Sequence, residues 1–510
     1  MRTKKSIKNI IWAIIIFTIN IVVNFVSRKV FILLMGNEYN GLNSLLLNIS
    51  SMLSIAELGI SNAIIYKLYK PFSENDEEQI KTLMQFYKKA YKFVSISVLV
   101  IGICILPFLK YIIKDFSPDV NIYIVYILYV MDVFVSYLLS YKRSIFIVSQ
   151  NEYIIKKIHL VYILLYNLIQ ILIISLTKNY YLFLISKILF TFLENFAISI
   201  LANKRYPYLL TKANKIKESD KREIFQKVRA LFIHKVAGFV INGTDNILIS
   251  MFLGIVVVGK YNNYYIIINS LCTLVNTMFY AITPSVGNLL VEKNNEKNIL
   301  VYKKIGFLNF TISLVSCSIL LSIIQDFITI WLGKEYLISG GLIYVISIYY
   351  FYRTLKLSII SFKDAAGIYY EDRMVPIIES VINIIFSIIL AKVFGLNGIL
   401  IGTIISNLFL YIYSYPKFVY KKLLNGTEIE YYKLFLKESF IMIICLIIVS
   451  VICTNFTISN IYMKLFVDFL IGLIVPIILI IVNYKNSVEL KYYAKYIRKI
   501  YKKLFKNKAI

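Results

Sequence analysis

A chain of 510 residues in which 59% are hydrophobic and only 16% are charged cannot cover a set of water-soluble domains, which carry roughly 25% charged residues. Its mean hydropathy of +0.72, with apolar runs of about 18 or more residues recurring from end to end, makes the bilayer the relevant solvent. The net charge of +28 does not point to nucleic acid, because the 56 Lys and Arg sit between the apolar runs, without a compact basic domain or metal-finger spacing.

Met1 to Lys8 is basic and leads straight into an apolar run ending near Leu34. That run is too long for a signal-peptide core and lacks a small-x-small cleavage site, so it reads as a retained first helix. Matching apolar runs to a hydrocarbon core of about 30 Å predicts spans over 10–34, 42–66, 93–113, 121–147, 158–177 and 180–202. After a polar connection, further spans are predicted over 230–253, 261–288, 305–331, 341–362, 374–394, 397–416, 438–456 and 461–484. The expected fold is therefore all-α and integral to the membrane, with about fourteen transmembrane helices. Its parts are an N-terminal six-helix lobe (1–203), a basic cytoplasmic linker (204–229), a C-terminal six-helix lobe (230–416), two extra helices (417–484) and a basic cytoplasmic tail (485–510).

Lys and Arg fall in alternate loops with a strong bias: about 43 lie on the side of the N-terminus and about 7 on the other. Cytoplasmic loops carry such an excess, so both termini are expected in the cytoplasm of a cell-membrane protein, with the segments Lys204 to Arg229 and Lys485 to Lys508 against anionic lipid. The outer loops are all short, whereas a membrane glycosyltransferase or polysaccharide polymerase is expected to carry its catalytic groups on a large one. The five cysteines lie inside apolar runs without a CxxC pair and read as small core residues.

FILLMGNEYNGLNSLL (Phe31 to Leu46) and ISMFLGIVVVGKYNNYYI (Ile249 to Ile266) share one pattern: an apolar run, Gly36 or Gly254, four residues, Gly41 or Gly259, and a new apolar helix. The offset is 218 residues. Either two hairpins use glycine independently, or a domain has been duplicated, and many transporters bind substrate between such repeats. GIVVVGKY (Gly254 to Tyr261) approaches the phosphate-loop pattern, but Tyr261 replaces the magnesium-binding Ser or Thr and no strand precedes it, so it is rejected. His159 and His234 each open a helix and read as interfacial.

Ionisable groups deep in a span are expensive and normally face a partner or a water-filled cavity. Glu57, Asp132, Glu194, Asp245, Asp468, Arg353 and Lys356 lie near mid-membrane, with Arg28, Lys187 and Glu379 off centre. Arg353 and Lys356, three apart, share a helix face and read either as lining a cavity or as buried ion pairs with acids of neighbouring helices. A cationic cavity suits a diphosphate, with Arg28, Arg353 and Lys356 as candidate ligands. Glu57, Asp132, Glu194 and Asp245 are candidates for coupling to a proton or sodium gradient, or for the buried pairs; no cofactor or metal is expected.

GTDNILISMFLG (Gly243 to Gly254), ELGISNAIIYKLYKP (Glu57 to Pro71), WLGKEYL (Trp331 to Leu337) and DAAGIYYEDRMVPIIESVINIIFSIILAKVFGLNGILIGTIIS (Asp364 to Ser406) together resemble bacterial polysaccharide flippases of the Wzx type, in the multidrug/oligosaccharidyl-lipid/polysaccharide exporter (MOP) superfamily. The resemblance implies two pseudo-symmetric six-helix lobes around a central cavity, plus two C-terminal helices. It also implies flipping of undecaprenyl diphosphate-linked sugar repeats to the outer leaflet by alternating access, with a polysaccharide polymerase and glycosyltransferases as candidate partners. Lys260 departs from the less basic residue expected in that hairpin. An ion-coupled multidrug antiporter of the same superfamily and a membrane polymerase or glycosyltransferase are the alternatives.

Overall fold

The computed structural model describes residues 2–506 except 58–59, 117–119, 293, 339–340, 370 and 457. Outside the described residues also fall the side chains of 55–56, 62, 497 and 499–506 and most of those in 2–17 and 226–242, His234 among them. Among the described residues all regular structure is helical. This is the expected outcome in hydrocarbon, where a helix satisfies its own backbone polar groups.

The chain divides into two compact units, Met1–Gly259 and Lys260–Ile510. The first holds α1 (Arg2–Met35), α2 (Asn37–Leu53), α3 (Ile60–Glu74), α4 (Glu77–Ile105), α5 (Leu109–Ile112), α6 (Ile122–Leu138), α7 (Arg143–Val148), α8 (Glu152–Thr177), α9 (Tyr180–Arg205) and α10 (Glu218–Leu253). Helix α11 (Ile255–Val291) begins in the first unit and continues into the second, followed by α12 (Asn295–Trp331), α13 (Leu342–Leu355), α14 (Leu357–Ala366) and α15 (Val375–Phe409). A π-helical stretch, Leu410–Lys421, extends α15, and α16 (Glu428–Asn455), α17 (Ile461–Tyr484) and α18 (Val488–Lys506) complete the chain. Short polar side chains start many of these helices. Asn121 accepts from the Tyr123 and Ile124 amides, Asn294 from Lys297, Thr427 from Glu430 and Asn460 from Tyr462, each satisfying an amide that the first turn leaves without a partner.

Each of the fourteen predicted spans falls on helix. Ten described helical segments are long and apolar enough to cross a bilayer by themselves, and one of these, Val375–Lys421, is 47 residues long and covers two predicted spans. Gly395 divides it with φ 56° and ψ −130°. The two halves fold back so closely that a Cβ at Gly398 would overlap the Leu390 carbonyl oxygen, and one at Gly402 the Ser387 amide. The other predicted spans lie on broken or polar helices: α2 and α3 are separated by the 3-10 turn Ser54–Glu57, α13 and α14 meet at Lys356, and α10 opens with a charged half.

The duplication is written in the turns. Gly36 (φ 88°, ψ 174°) and Gly254 (φ 85°, ψ 166°) have nearly the same backbone conformation 218 residues apart. The left-handed residues Asp115, Gln150 and Lys178 recur at Gly333, Gly367 and Gly395, again 217 or 218 residues on. Helix α7 ends at Val148 and α14 at Ala366, at the same offset, so the break within α6–α7 is repeated in α13–α14. These repeated turns show two copies of one six-span pattern, with α16 and α17 added. Both added helices pack on α12, and α17 approaches closely enough for a Cβ at Gly472 to lie 2.5 Å from the Ser322 hydroxyl oxygen.

Within the first unit the two repeated hairpins meet each other reciprocally. A Cβ at Gly41 would overlap the Ile255 carbonyl oxygen, and one at Gly259 would come within 2.6 Å of the Asn37 carbonyl oxygen; Ile255 and Asn37 are themselves repeat equivalents. Asn37 Nδ2 donates to Val256 O at 2.8 Å and Asn40 Nδ2 to Gly259 O at 3.0 Å. The glycines are there because backbone must touch backbone. Gly41→Ala is expected to destabilise the protein by about 1–3 kcal/mol through overpacking, seen as a lower Tm in detergent. Gly287→Ala, which meets nothing within 4 Å, should leave Tm nearly unchanged.

Candidate functional site

The cation pair of the second unit sits at a helix break. Helix α13 ends at Leu355, Lys356 caps it, and α14 restarts at Leu357, which leaves Arg353 and Lys356 on the last turn before the interruption. Both side chains are half-buried. Arg353 donates from Nη1 to the Tyr349 hydroxyl at 3.0 Å and from Nη2 to Asn269 Oδ1 at 3.2 Å, its guanidinium lying 5.7 Å from the centre of the Tyr349 ring. Lys356 donates to Asn407 Oδ1 at 2.7 Å. Among the described residues, no carboxylate lies within ion-pair distance of either cation. Glu379, buried on α15, interacts with Lys356 only at longer range.

Of the two readings open for this pair, then, the structure shows the cations solvated by neutral dipoles and not locked in ion pairs. Amide and phenol oxygens stabilise a positive charge without cancelling it, so the field of the pair remains available to an anion. Arg28 is half-buried on α1 in the first unit, whereas Arg353 and Lys356 belong to the second, and each is described within its own unit.

The candidate acids of the first unit divide. Asp132 is paired with Lys187 at 3.0 Å and accepts from the Thr191 hydroxyl at 2.8 Å. Glu194 receives Arg143 Nη2 at 2.7 Å and lies 3.1 Å from His159 Nδ1. Glu57, at the end of the 3-10 turn, accepts from the Tyr91 hydroxyl, which also takes a hydrogen bond from Tyr87 at 3.1 Å. Asp245 is buried on α10. Glu57 and Glu194 both line a cavity of about 410 Å³ whose wall includes Ser61, Tyr87, Tyr91 and Arg143.

Arg143 is a buried-charge partner that span positions alone do not reveal. It falls in the break between α6 and α7, at residues that a span over 121–147 places at the membrane edge; the YKR triplet of Tyr141 to Arg143 is the available signal. His159, interfacial by its sequence position, is instead drawn to Glu194, with Arg143 on the same carboxylate. Asp468 is likewise paired, with Lys464 at 3.5 Å, and Lys464 also meets Asp326 at 2.6 Å.

The Asp132–Lys187 pair makes a structural role testable. Asp132→Asn or Lys187→Gln alone leaves an uncompensated, largely buried charge and should cost about 1–3 kcal/mol. The double substitution should cost less than the sum of the two, as measured by a double-mutant cycle on thermal unfolding.

No family model matches this sequence, and no curated protein matches it. Solved structures do. The chain superposes on an inward-facing multidrug resistance MATE transporter of the MOP superfamily with a TM-score of 0.58 at 15% identity, over 76% of this chain and 90% of that one. On the lipid II flippase MurJ in an inward closed conformation the TM-score is 0.59 at 16% identity, over 94% of this chain and 100% of the other. On a mutant of the Vibrio cholerae MATE transporter VcmN it is 0.53 at 10% identity, over 80% and 94%. All three are transporters or flippases, not enzymes. The fold of this multi-pass membrane chain is therefore the one these MOP superfamily transporters share, as the resemblance of its sequence implies.

Proposed function

We propose that this protein is a flippase for lipid-linked oligosaccharides, carrying undecaprenyl diphosphate-linked sugar units from the cytoplasmic to the outer leaflet. The observation that carries the reading is the cation pair Arg353 and Lys356, held by Tyr349, Asn269 and Asn407 without a described carboxylate in ion-pair range. A diphosphate offers the opposite charge and several acceptor oxygens, and charge-assisted bonds from Arg and Lys are the strong ones. Arg28 would join them as a third cationic ligand. The match to a lipid II flippase along 94% of the chain supports the same class of cargo.

Alternating access requires that cargo or a coupling ion favour one conformation over another. Glu57 is the preferred coupling group, because its described partner is a hydroxyl, while Asp132 and Glu194 already meet cations. Proton or sodium occupancy of Glu57 would then bias the inward and outward populations. The charge bias of the loops supports cytoplasmic termini, in a cell membrane where a polymerase and glycosyltransferases would supply and consume the cargo.

In sealed vesicles, Arg353→Ala and Lys356→Ala at matched protein levels should each lower flipping of labelled lipid-linked sugar about 10- to 100-fold, the loss expected for one charge-assisted hydrogen bond. Arg353→Lys should fall between wild type and Arg353→Ala, since the ammonium keeps the charge but not the planar fork. Wild-type flipping in both alanine variants would remove the pair from the site. Drug resistance on expression, with no flipping activity, would favour the multidrug antiporter.

A further inference from the structure

The two added helices enclose a second polar cavity, of about 280 Å³, at the lysine-rich end of the second unit. Its wall includes Lys303 and Phe307 of α12, Lys433, Lys437 and Glu438 of α16, and Tyr484 at the end of α17. Glu438 is only 7% exposed, and among the described residues no cation lies within ion-pair distance of its carboxylate and no donor reaches it. A buried carboxylate without a partner is costly, so its place in a cavity wall calls for something to occupy that cavity.

The charges around it are arranged in depth. Lys303 is engaged by Glu430 at 2.6 Å, and Lys437 lies 3.8 Å from the centre of the Tyr484 ring and donates to Asn483 O at 3.2 Å. Lys433 is exposed at the rim, without a described partner. The site thus offers an anion inside, flanked by the Phe307 and Tyr484 rings, and an exposed cation at its mouth. Beside it, Ile429, Leu436, Phe440, Ile443 and Ile447 form an exposed apolar stripe along α16, spaced as one helix face.

We infer that this cavity binds the headgroup of an amine-bearing phospholipid, its ammonium on Glu438, its phosphate at Lys433 and its acyl chains along the α16 stripe. The order of groups in phosphoethanolamine, ammonium outermost and phosphate next, matches the order of acid and lysine from the cavity floor to its rim. A trimethylated headgroup cannot donate the hydrogen bonds that a carboxylate buried this far requires. A glycerol headgroup carries no cation for it. Such a lipid would brace α16 and α17 against α12, independently of what the transport site carries.

The test uses the purified full chain in micelles doped at equal mole fraction with phosphatidylethanolamine, phosphatidylcholine or phosphatidylglycerol. Phosphatidylethanolamine should raise Tm by at least about 2 °C over the other two, as linkage predicts for a ligand of the native state. Glu438→Gln should erase the difference, and Lys433→Gln should reduce it. Soluble phosphoethanolamine at millimolar concentration should compete with the lipid, and ethanolamine alone should compete less. Equal stabilisation by phosphatidylglycerol, or a preference that survives Glu438→Gln, overturns the assignment. Should Glu438→Gln not purify as a single species, native mass spectrometry of the wild type decides: selective retention of phosphatidylethanolamine supports the site, and equal retention of phosphatidylcholine refutes it.

Discussion

A backbone polar group without a partner in hydrocarbon costs several kcal/mol, so a chain like this one can change direction only where the helix ladder can be ended cheaply. Everything else in the structure is arranged around that constraint. The turns use residues able to take positive φ, glycine at 36, 254, 333, 367 and 395, and Asp115, Gln150 and Lys178 elsewhere. The same conformations recur at a constant offset, which is how a duplication survives after the side chains around it have diverged. Where two hairpins must touch, glycine does a second job at 41 and 259, letting carbonyl groups and helix backbones approach to a distance that a methyl group would forbid.

Divergence between the copies is greatest in charge. The break that ends α6 is followed by Lys142 and Arg143, which reach into a polar network with Ser199, Asn203, Asn195 and Glu194. The repeated break that ends α13 carries Arg353 and Lys356 instead, with neutral side chains as their described hydrogen-bond partners. One backbone irregularity, inherited twice, has thus become a neutralised network in one copy and a cationic centre in the other. The first is suited to holding helices in register, the second to attracting an anion.

Much of this was legible in the residues. Apolar run lengths put all fourteen predicted spans on helix because the bilayer imposes a length that side-chain detail cannot alter. The 218-residue offset was visible at Gly36 and Gly254, since glycine there is set by backbone conformation. The remaining turn pairs were hidden, because Asp115, Gln150 and Lys178 reach positive φ without any glycine to announce it. The helix break at Lys356 was also silent: nothing in LKL (Leu355 to Leu357) signals an interruption.

Sequence by itself determined that the chain is a helical membrane protein, where its apolar helices fall, and which ionisable residues lie deep within them, because hydrophobic run length and the cost of buried charge are local properties. Which of those charges are cancelled was decided only in three dimensions. Asp132 and Lys187, or Glu194 and Arg143, are more than fifty residues apart and meet only when α6, α7 and α9 pack. Arg353 and Lys356 keep their field because that same packing brings them Asn269 and Asn407 in place of an acid. Pairing depends on distances of a few ångströms between helices, and no one-dimensional pattern carries that information.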